Sequence, residues 1–458
     1  MINFTNAGGV SFLKVTMNGR QWTASSNKDW CTISKKSSTR PIDQIVILVS
    51  ANADKQSRMA QVILVMDSTD TIRVLVLQTI KKSIYPNYCK SIPPDSSNMH
   101  SDAKQLTSKI VAGWNLGNTL DVPHSETDWG NPKTTQRLID SVKASGINAV
   151  RIPCAWDSYI NEDNTCKISN WWFKRVKEVV DYCYKNNMYI ILNIHWDGGW
   201  LENNPTYDKQ DSVNDKQKAL WEQIAMFFRD YDEHLLFAGT NEVHSKDKPT
   251  AENFEVQMSY NQTFVDAVRS TGGRNSYRNL IVQAFNTNID QAVSYLKVSQ
   301  DEIANRMMVE VHYYDPWDFC GLENDASWAT AKSLWGKDFA QYGQISPWGQ
   351  EDYVVTQFEK MKTNFVDKGY PVILGEYGAS RRSGLSGKKL EHHLASRAYF
   401  LQYIAQQAKN HGIVPFIWDN GSTQNMGNAL FNRYDGSVFD AQALKAFITG
   451  AVAGKYPY

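Results

Sequence analysis

YIILNIHW, residues 189–196, is an apolar run that breaks off at its end in His195 and Trp196. It shows no polar/apolar alternation before that point. A short run of this kind predicts a strand covered on both faces, as in a parallel sheet. Similar runs recur on either side of it, at Val111–Leu116, Ala149–Pro153, Leu235–Asn241, Asn279–Phe285, Met307–Tyr313, Pro371–Glu376 and Val414–Trp418. Amphipathic stretches such as Trp172–Tyr184 and Tyr353–Val366 separate them. Eight strand–helix units without a second run of strands predict an α/β fold, a closed (β/α)8 barrel over 101–458, rather than an open doubly wound sheet.

The front of the chain reads differently. Alternating segments at Val10–Val15, Gln44–Val49, Gln61–Val65 and Thr71–Gln78 lie between Gly, Asn, Ser and Asp clusters. They predict a small all-β, immunoglobulin-like sandwich over 1–82. Residues 83–100 are rich in Pro and Ser and carry little apolar pattern, so they read as a linker or an extended strap.

Composition excludes several classes. Lys+Arg and Asp+Glu balance at 48 each, which argues against a nucleic-acid partner. No apolar stretch is long enough to span a membrane, and no leader peptide is visible at the N-terminus. The six cysteines (31, 89, 154, 166, 183, 320) form no CxxC pair. No G-x-G-x-x-G follows the first strand and no P-loop occurs, so nucleotide cofactors lose their support. Aromatic residues are 12% of the chain, with 15 Trp, and flat rings of this kind stack on sugar faces.

In a barrel the site forms at the C-terminal ends of the strands. There the chain places Arg151, His195, Asn241-Glu242, His312 with Tyr314 two residues on, Glu376 and Trp418. Charged groups that follow buried runs are costly unless they pair with each other. Two carboxylates on one rim suggest glycosidic cleavage, one as acid and the other as nucleophile or base. Tyr314 and Arg151 are placed to hold one carboxylate ionised, with its pKa lowered, while the other stays higher. Asn241 suits a sugar 2-OH. His195 and His312 lack an H-x-H or H-E-x-x-H partner, so neither a metal nor a cofactor is expected and activity should survive EDTA. His392-His393 falls within a helix and reads as surface.

The runs GWNLGNTLD (113–121), VRIPCAW (150–156), NIHWDGGW (193–200), LLFAGTNE (235–242), VHYYDPW (311–317), ILGEYG (373–378) and FIWDNG (416–421) resemble glycoside hydrolase family 5. They cover every strand but the fifth, in order. The resemblance implies a retaining mechanism with Glu242 as acid/base and Glu376 as nucleophile. It also implies that Arg151, His195, Asn241, His312 and Tyr314 orient nucleophile and sugar, with Trp418 as a sugar platform. The first and third runs look most like the branch holding endoglucanases, xyloglucanases and lichenases, in which Asn118 and Trp200 are implied glycone contacts. Departures from the pattern of many relatives fall at Trp196, Phe237 and Val243. QWTASSNKDWCTIS (21–34), ILVSANADKQSRMAQVILV (47–65) and IRVLVLQT (72–79) resemble the BACON domain, which implies a spacer role or glycan binding.

A long loop at about 315–350 carries Trp317, Trp328, Trp335 and Trp348, with Trp317 the candidate for a leaving-side subsite. The expected activity is endo-β-1,4-glucanase with xyloglucan tolerance. A mannanase of the same family, a non-catalytic glycan-binding barrel and a metal-dependent hydrolase are the alternatives. A monomer outside the cytoplasm, with β-1,4-linked polysaccharide as partner, completes the expectation. Removal of residues 1–95 should leave turnover of soluble glucan nearly unchanged.

Overall fold

All eight apolar runs form strands, and the strands close into a barrel. In the computed structural model, which describes residues 1–4, 8–16, 20–52, 56–67, 70–79 and 83–458, the chain divides into two units, Met1–Ile84 and Tyr85–Tyr458. In the second unit the strands are β1 (Gly113–Asn115), β2 (Ala149–Ile152), β3 (Tyr189–Asn193), β4 (Leu235–Ala238), β5 (Leu280–Gln283), β6 (Met307–Tyr313), β7 (Val372–Tyr377) and β8 (Ile413–Ile417). They pair in sequence order, all parallel, and β8 returns to β1 through Gly113↔Phe416.

The apolar character of the strands has two causes, one for each face. On β3, Ile190 and Leu192 pack with the surrounding helices, together with Val150, Val282 and Leu374. Tyr189 and Ile191 belong to a separate interior cluster with Leu236, Ile281, Met308 and Ile373. Each such side chain stabilises the fold by about 1.5–3 kcal/mol when fully buried. Toward the C-terminal ends the interior positions turn polar: Asn115 follows Gly113, Arg151 follows Ala149, Gln283 follows Ile281, and Glu310 and His312 follow Met308. This period of two raises the floor of the site from the barrel itself.

One strand departs from that alternation. Between β6 and β7 the register runs Val311↔Leu374 and then His312↔Glu376, so Gly375 is an extra residue on β7. Leu374 packs with the helices. Regular alternation would send Glu376 to the same side. The bulge shifts the phase by one residue and brings Glu376 into the interior layer beside His312.

The segment read as a linker or strap belongs to the barrel unit from Tyr85 onward. The Tyr88 and Cys89 amides donate to Glu222 Oε2 at 3.0 and 3.2 Å. Ile92–Pro94 pairs in parallel with Gly272–Gly273. Its proline and serine content marks an absence of periodicity, which an extended strand pinned by backbone hydrogen bonds shares with a loose linker.

The first unit holds a five-stranded sheet in the order Ile2–Phe4, Asp70–Gln78, Arg58–Met66, Trp22–Ser26, Ser37–Ser38. A three-stranded sheet runs Gly9–Thr16, Ile42–Val49, Cys31–Ile33. Val15, Ile45 and Ile47 from the smaller sheet meet Trp22, Val62 and Val76 from the larger in one core, which makes a sandwich. Residues 53–55 of the BACON-like stretch lie outside the described residues. Among the described residues no helix is long and apolar enough to cross a membrane.

Candidate active site

Arg151 is fully buried at the barrel's mouth and holds four groups at once. Its Nη1 donates to Glu376 Oε1 at 2.8 Å and to Asn115 Oδ1 at 3.0 Å. Its Nη2 donates to Asn241 Oδ1 at 2.8 Å and stands 2.9 Å from Glu310 Oε1. A planar guanidinium can span strands β1, β6, β7 and the end of β4 in this way, and a lysine cannot. The Tyr314 hydroxyl donates to Glu376 Oε2 at 3.0 Å, so both Glu376 oxygens are occupied by donors. Burial and the Glu376 charge push the Tyr314 hydroxyl far up, which keeps it a donor.

The second carboxylate has a different setting. Glu242 follows the end of β4, its side chain is 39% exposed to the cleft, and its Oε1 takes one contact, His312 Nδ1 at 2.7 Å. His312 also lies 3.7 Å from Glu376 Oε2 and 3.2 Å from Glu310 Oε1. Glu242, His312 and Glu376 each place a donor atom within 4.8 Å of the others. Burial works against protonation of His312, but Glu376, Glu242 and Glu310 outweigh it and raise the imidazole to about 10. His195 is the opposite case. Burial, Arg151 and His312 all push it well down, so it is neutral.

The two carboxylates themselves reverse the expected order. Burial raises Glu376, against His312 and Arg151. For Glu242 the His312 hydrogen bond and charge overcome burial and hold it down. Arg151 and Tyr314 touch Glu376 as expected; the sequence did not reveal that an imidazolium would stand against Glu242.

Trp418 and His195 face the cleft with ring planes within 10° and centroids 6.0 Å apart. Trp418 fits because Gly117 lacks a side chain, whose Cβ would come within 2.7 Å of the indole. Trp317 is 46% exposed and lines both cavities of the cleft, one reaching Asn288 and Tyr353, the other Trp418 and Asn428. Trp335 from the same loop is buried against Phe400, while Trp328 and Trp348 are exposed.

Asn118 and Trp200 do not line these cavities. Asn118 adopts a left-handed backbone, φ 54°, and its amide donates to Asp121 Oδ2. The Trp200 indole donates to Asp197 Oδ2 at 3.2 Å and its ring lies under Lys216 Nζ. His393, read as surface, is buried, with Nε2 accepting from the Arg382 amide.

Four contributors escaped the sequence reading: Asn115, Glu202, Gln283 and Glu310. Glu202 accepts the Glu242 amide at 3.0 Å, and burial and the Glu242 charge raise it to about 7. A lone polar residue in or after an apolar run was their only signal, and Asn115 and Glu310 lie on such runs without ending them.

An eight-stranded barrel with two carboxylates facing each other over a histidine, one of them clamped by arginine, has the makeup of a glycoside hydrolase. The profile of the cellulases of glycosyl hydrolase family 5 matches residues 115–424, and the chain belongs to that family. A profile described as viral BACON domain matches residues 2–81. The chain is 38% identical to a xyloglucan-specific endo-beta-1,4-glucanase of Bacteroides ovatus, over 94% of this chain and 86% of that protein. It is 36% identical to endoglucanase A of Paenibacillus barcinonensis, over 76% of this chain and 90% of that protein. Among solved structures, a Bacteroides ovatus family 5 xyloglucanase in complex with a XXXG heptasaccharide superposes with a TM-score of 0.76 at 35% identity. That match covers 98% of this chain and 97% of the other.

Proposed function

We propose that the chain is a retaining endo-β-1,4-glucanase that accepts xyloglucan, with Glu376 as nucleophile and Glu242 as acid/base. The observation that carries the reading is the unequal setting of two close carboxylates. Glu376 is buried with a donor on each oxygen, and Glu242 faces the cleft. Their proximity, within 4.8 Å for one oxygen of each, suits retention, which calls for about 5–5.5 Å between carboxyl groups, whereas inversion calls for about 6.5–9.5 Å.

In the first step a Glu376 oxygen bonds to the anomeric carbon as the glycosidic C–O bond breaks. Glu242 gives its proton to the departing oxygen. In the second step Glu242 takes a proton from water, whose oxygen displaces Glu376 and frees the sugar. Two cations, Arg151 and His312, face three carboxylates, Glu242, Glu310 and Glu376. One further proton makes the cluster neutral, and that proton belongs to the Glu242–Glu376 pair as a unit. Bound sugar covers the partly exposed Glu242 and leaves the already buried Glu376 little changed. Desolvation therefore raises Glu242 and draws the shared proton to the acid position.

The named substrates of the relatives and an open cleft walled by Trp317 and Trp418 support a β-1,4-glucan with branches. In the BACON unit Trp22 is buried and Trp30 lies under the Arg58 guanidinium, which favours a spacer over a sugar platform. A monomer outside the cytoplasm fits a polymeric substrate. Product profiles on xyloglucan, carboxymethyl cellulose, mixed-linkage glucan and glucomannan test the reading. Internal cleavage of the first three is expected, with the β-anomer released first by NMR. Activity on mannan alone would refute it.

A further inference from the structure

Glu310 is a fully buried carboxylate on β6, two residues before His312 on the same face. Its Oε1 stands between two cations, 2.9 Å from Arg151 Nη2 and 3.2 Å from His312 Nε2. Its Oε2 accepts from Gln283 Nε2 on β5 at 2.7 Å. Gln283 cannot turn over freely, because its Oε1 already accepts from the Thr240 amide and hydroxyl at 2.9 and 3.0 Å. The chain of hydrogen bonds therefore has a direction, and it requires an acceptor at position 310. The fold also makes room for that acceptor: a Cβ on Gly375, the bulge residue of β7, would come within 1.9 Å of Glu310 Oε1.

We propose that Glu310 is a positioning residue of the site, which holds His312 as the doubly protonated partner of Glu242 and aims Arg151 at Glu376. The inference rests on the reading of Glu242 and Glu376 as the catalytic pair. Glu310 makes no contact with the cleft and acts only through these two cations. His312 takes its charge from the three carboxylates that face it, Glu310 on its own strand, Glu242 from the end of β4 and Glu376 from β7. Arg151 shares Glu310 Oε1 with it as an opposing charge, and the nearby His195 is neutral. Burial would otherwise leave the imidazole neutral, and a neutral ring would donate to one of these carboxylates instead of two. Glu310 itself is held below the usual carboxylate range, because Arg151 and His312 outweigh its burial.

Imidazole NMR of protein labelled with 15N-histidine, with His312 assigned through His312→Asn, tests this directly. Both ring nitrogens are expected to be protonated at pH 7 in the unaltered protein, and a neutral ring there overturns the proposal. In Glu310→Gln the His312 midpoint should fall by about one unit or more. The value of kcat should fall by about tenfold or more, with KM nearly unchanged. Glu310→Asp, which keeps the charge, should recover the midpoint. An unmoved midpoint in Glu310→Gln, or a loss confined to KM, overturns the proposal. If Glu310→Gln does not fold, Gln283→Leu, which frees Glu310 Oε2, replaces it: a lowered His312 midpoint with lowered kcat is expected, and an unmoved midpoint overturns the proposal. The resonances report on Glu310 even if Glu242 and Glu376 prove not to be the catalytic pair.

Discussion

His312 Nδ1 lies 2.7 Å from Glu242 Oε1 and 3.7 Å from Glu376 Oε2, so one imidazole serves both carboxylates of the cleft. Its folded-state value of about 10 exceeds the unfolded value near 6.5. A group raised in this way contributes stability that is fully present below pH 6.5 and is lost as pH rises through about 10. The stability difference between the unaltered protein and His312→Asn should therefore shrink across that window. Urea unfolding at a series of pH values measures it. A difference that grows with pH would contradict the assignment of a charged ring.

Glu242→Gln is expected to lower turnover of polysaccharide by about 10²–10⁴-fold. A dinitrophenyl glycoside, whose leaving group needs no proton, should form its glycosyl-enzyme at nearly the original rate. Glu376→Gln should lose both substrates, because the bond-forming oxygen is gone. Stopped-flow release of dinitrophenol separates the two variants. Survival of the dinitrophenyl reaction in Glu376→Gln with its loss in Glu242→Gln would invert the assigned roles, and equal loss in both would refute the assignment of Glu242 as acid.

Arg151→Met leaves Glu310 and Glu376 buried without their shared cation. Removal of one member of a buried ion pair costs about 3–5 kcal/mol. Arg151→Lys should retain part of the stability but little activity, since one ammonium cannot reach Asn115, Asn241, Glu310 and Glu376 together. Chemical denaturation of the three proteins side by side gives the ordering.

Gly375→Ala places a methyl group where Glu310 Oε1 now lies. Overpacking of a filled interior costs about 1–3 kcal/mol. Displacement of Glu310 should also lower kcat, while Gly378→Ala, whose Cβ would meet nothing closer than 3.8 Å, should lose far less stability. Thermal unfolding and initial rates on xyloglucan compare the pair.

Removal of residues 1–84 should leave turnover of soluble xyloglucan nearly unchanged. Removal of 1–95, the cut suggested by the sequence, also strips Tyr88 and the Ile92–Pro94 strand from the barrel unit. That version should melt at a lower temperature. Equal melting of the two would show that the strap adds nothing to the barrel.

The eight strands were legible because both faces of a barrel strand are buried, so each writes a continuous apolar run into the sequence. The residues that end those runs were legible for the same reason: Arg151, His195, Glu242, His312 and Glu376 stand out against Val, Ile and Leu. Trp200 and Asn118 came from family likeness; the Trp200 indole bonds to Asp197 and the Asn118 backbone amide to Asp121. Glu310 was hidden because one acid inside a run gives no hint of its partners beyond His312; the others lie 27, 65 and 159 positions away at Gln283, Gly375 and Arg151. What the sequence by itself determined is the barrel and the identity of the polar groups on its rim, since burial and strand periodicity are local. What only the tertiary structure decided is which way Glu376 faces and what charge meets it. Both follow from the slip at Gly375 and from cations supplied by other strands, and neither is a property of any one segment.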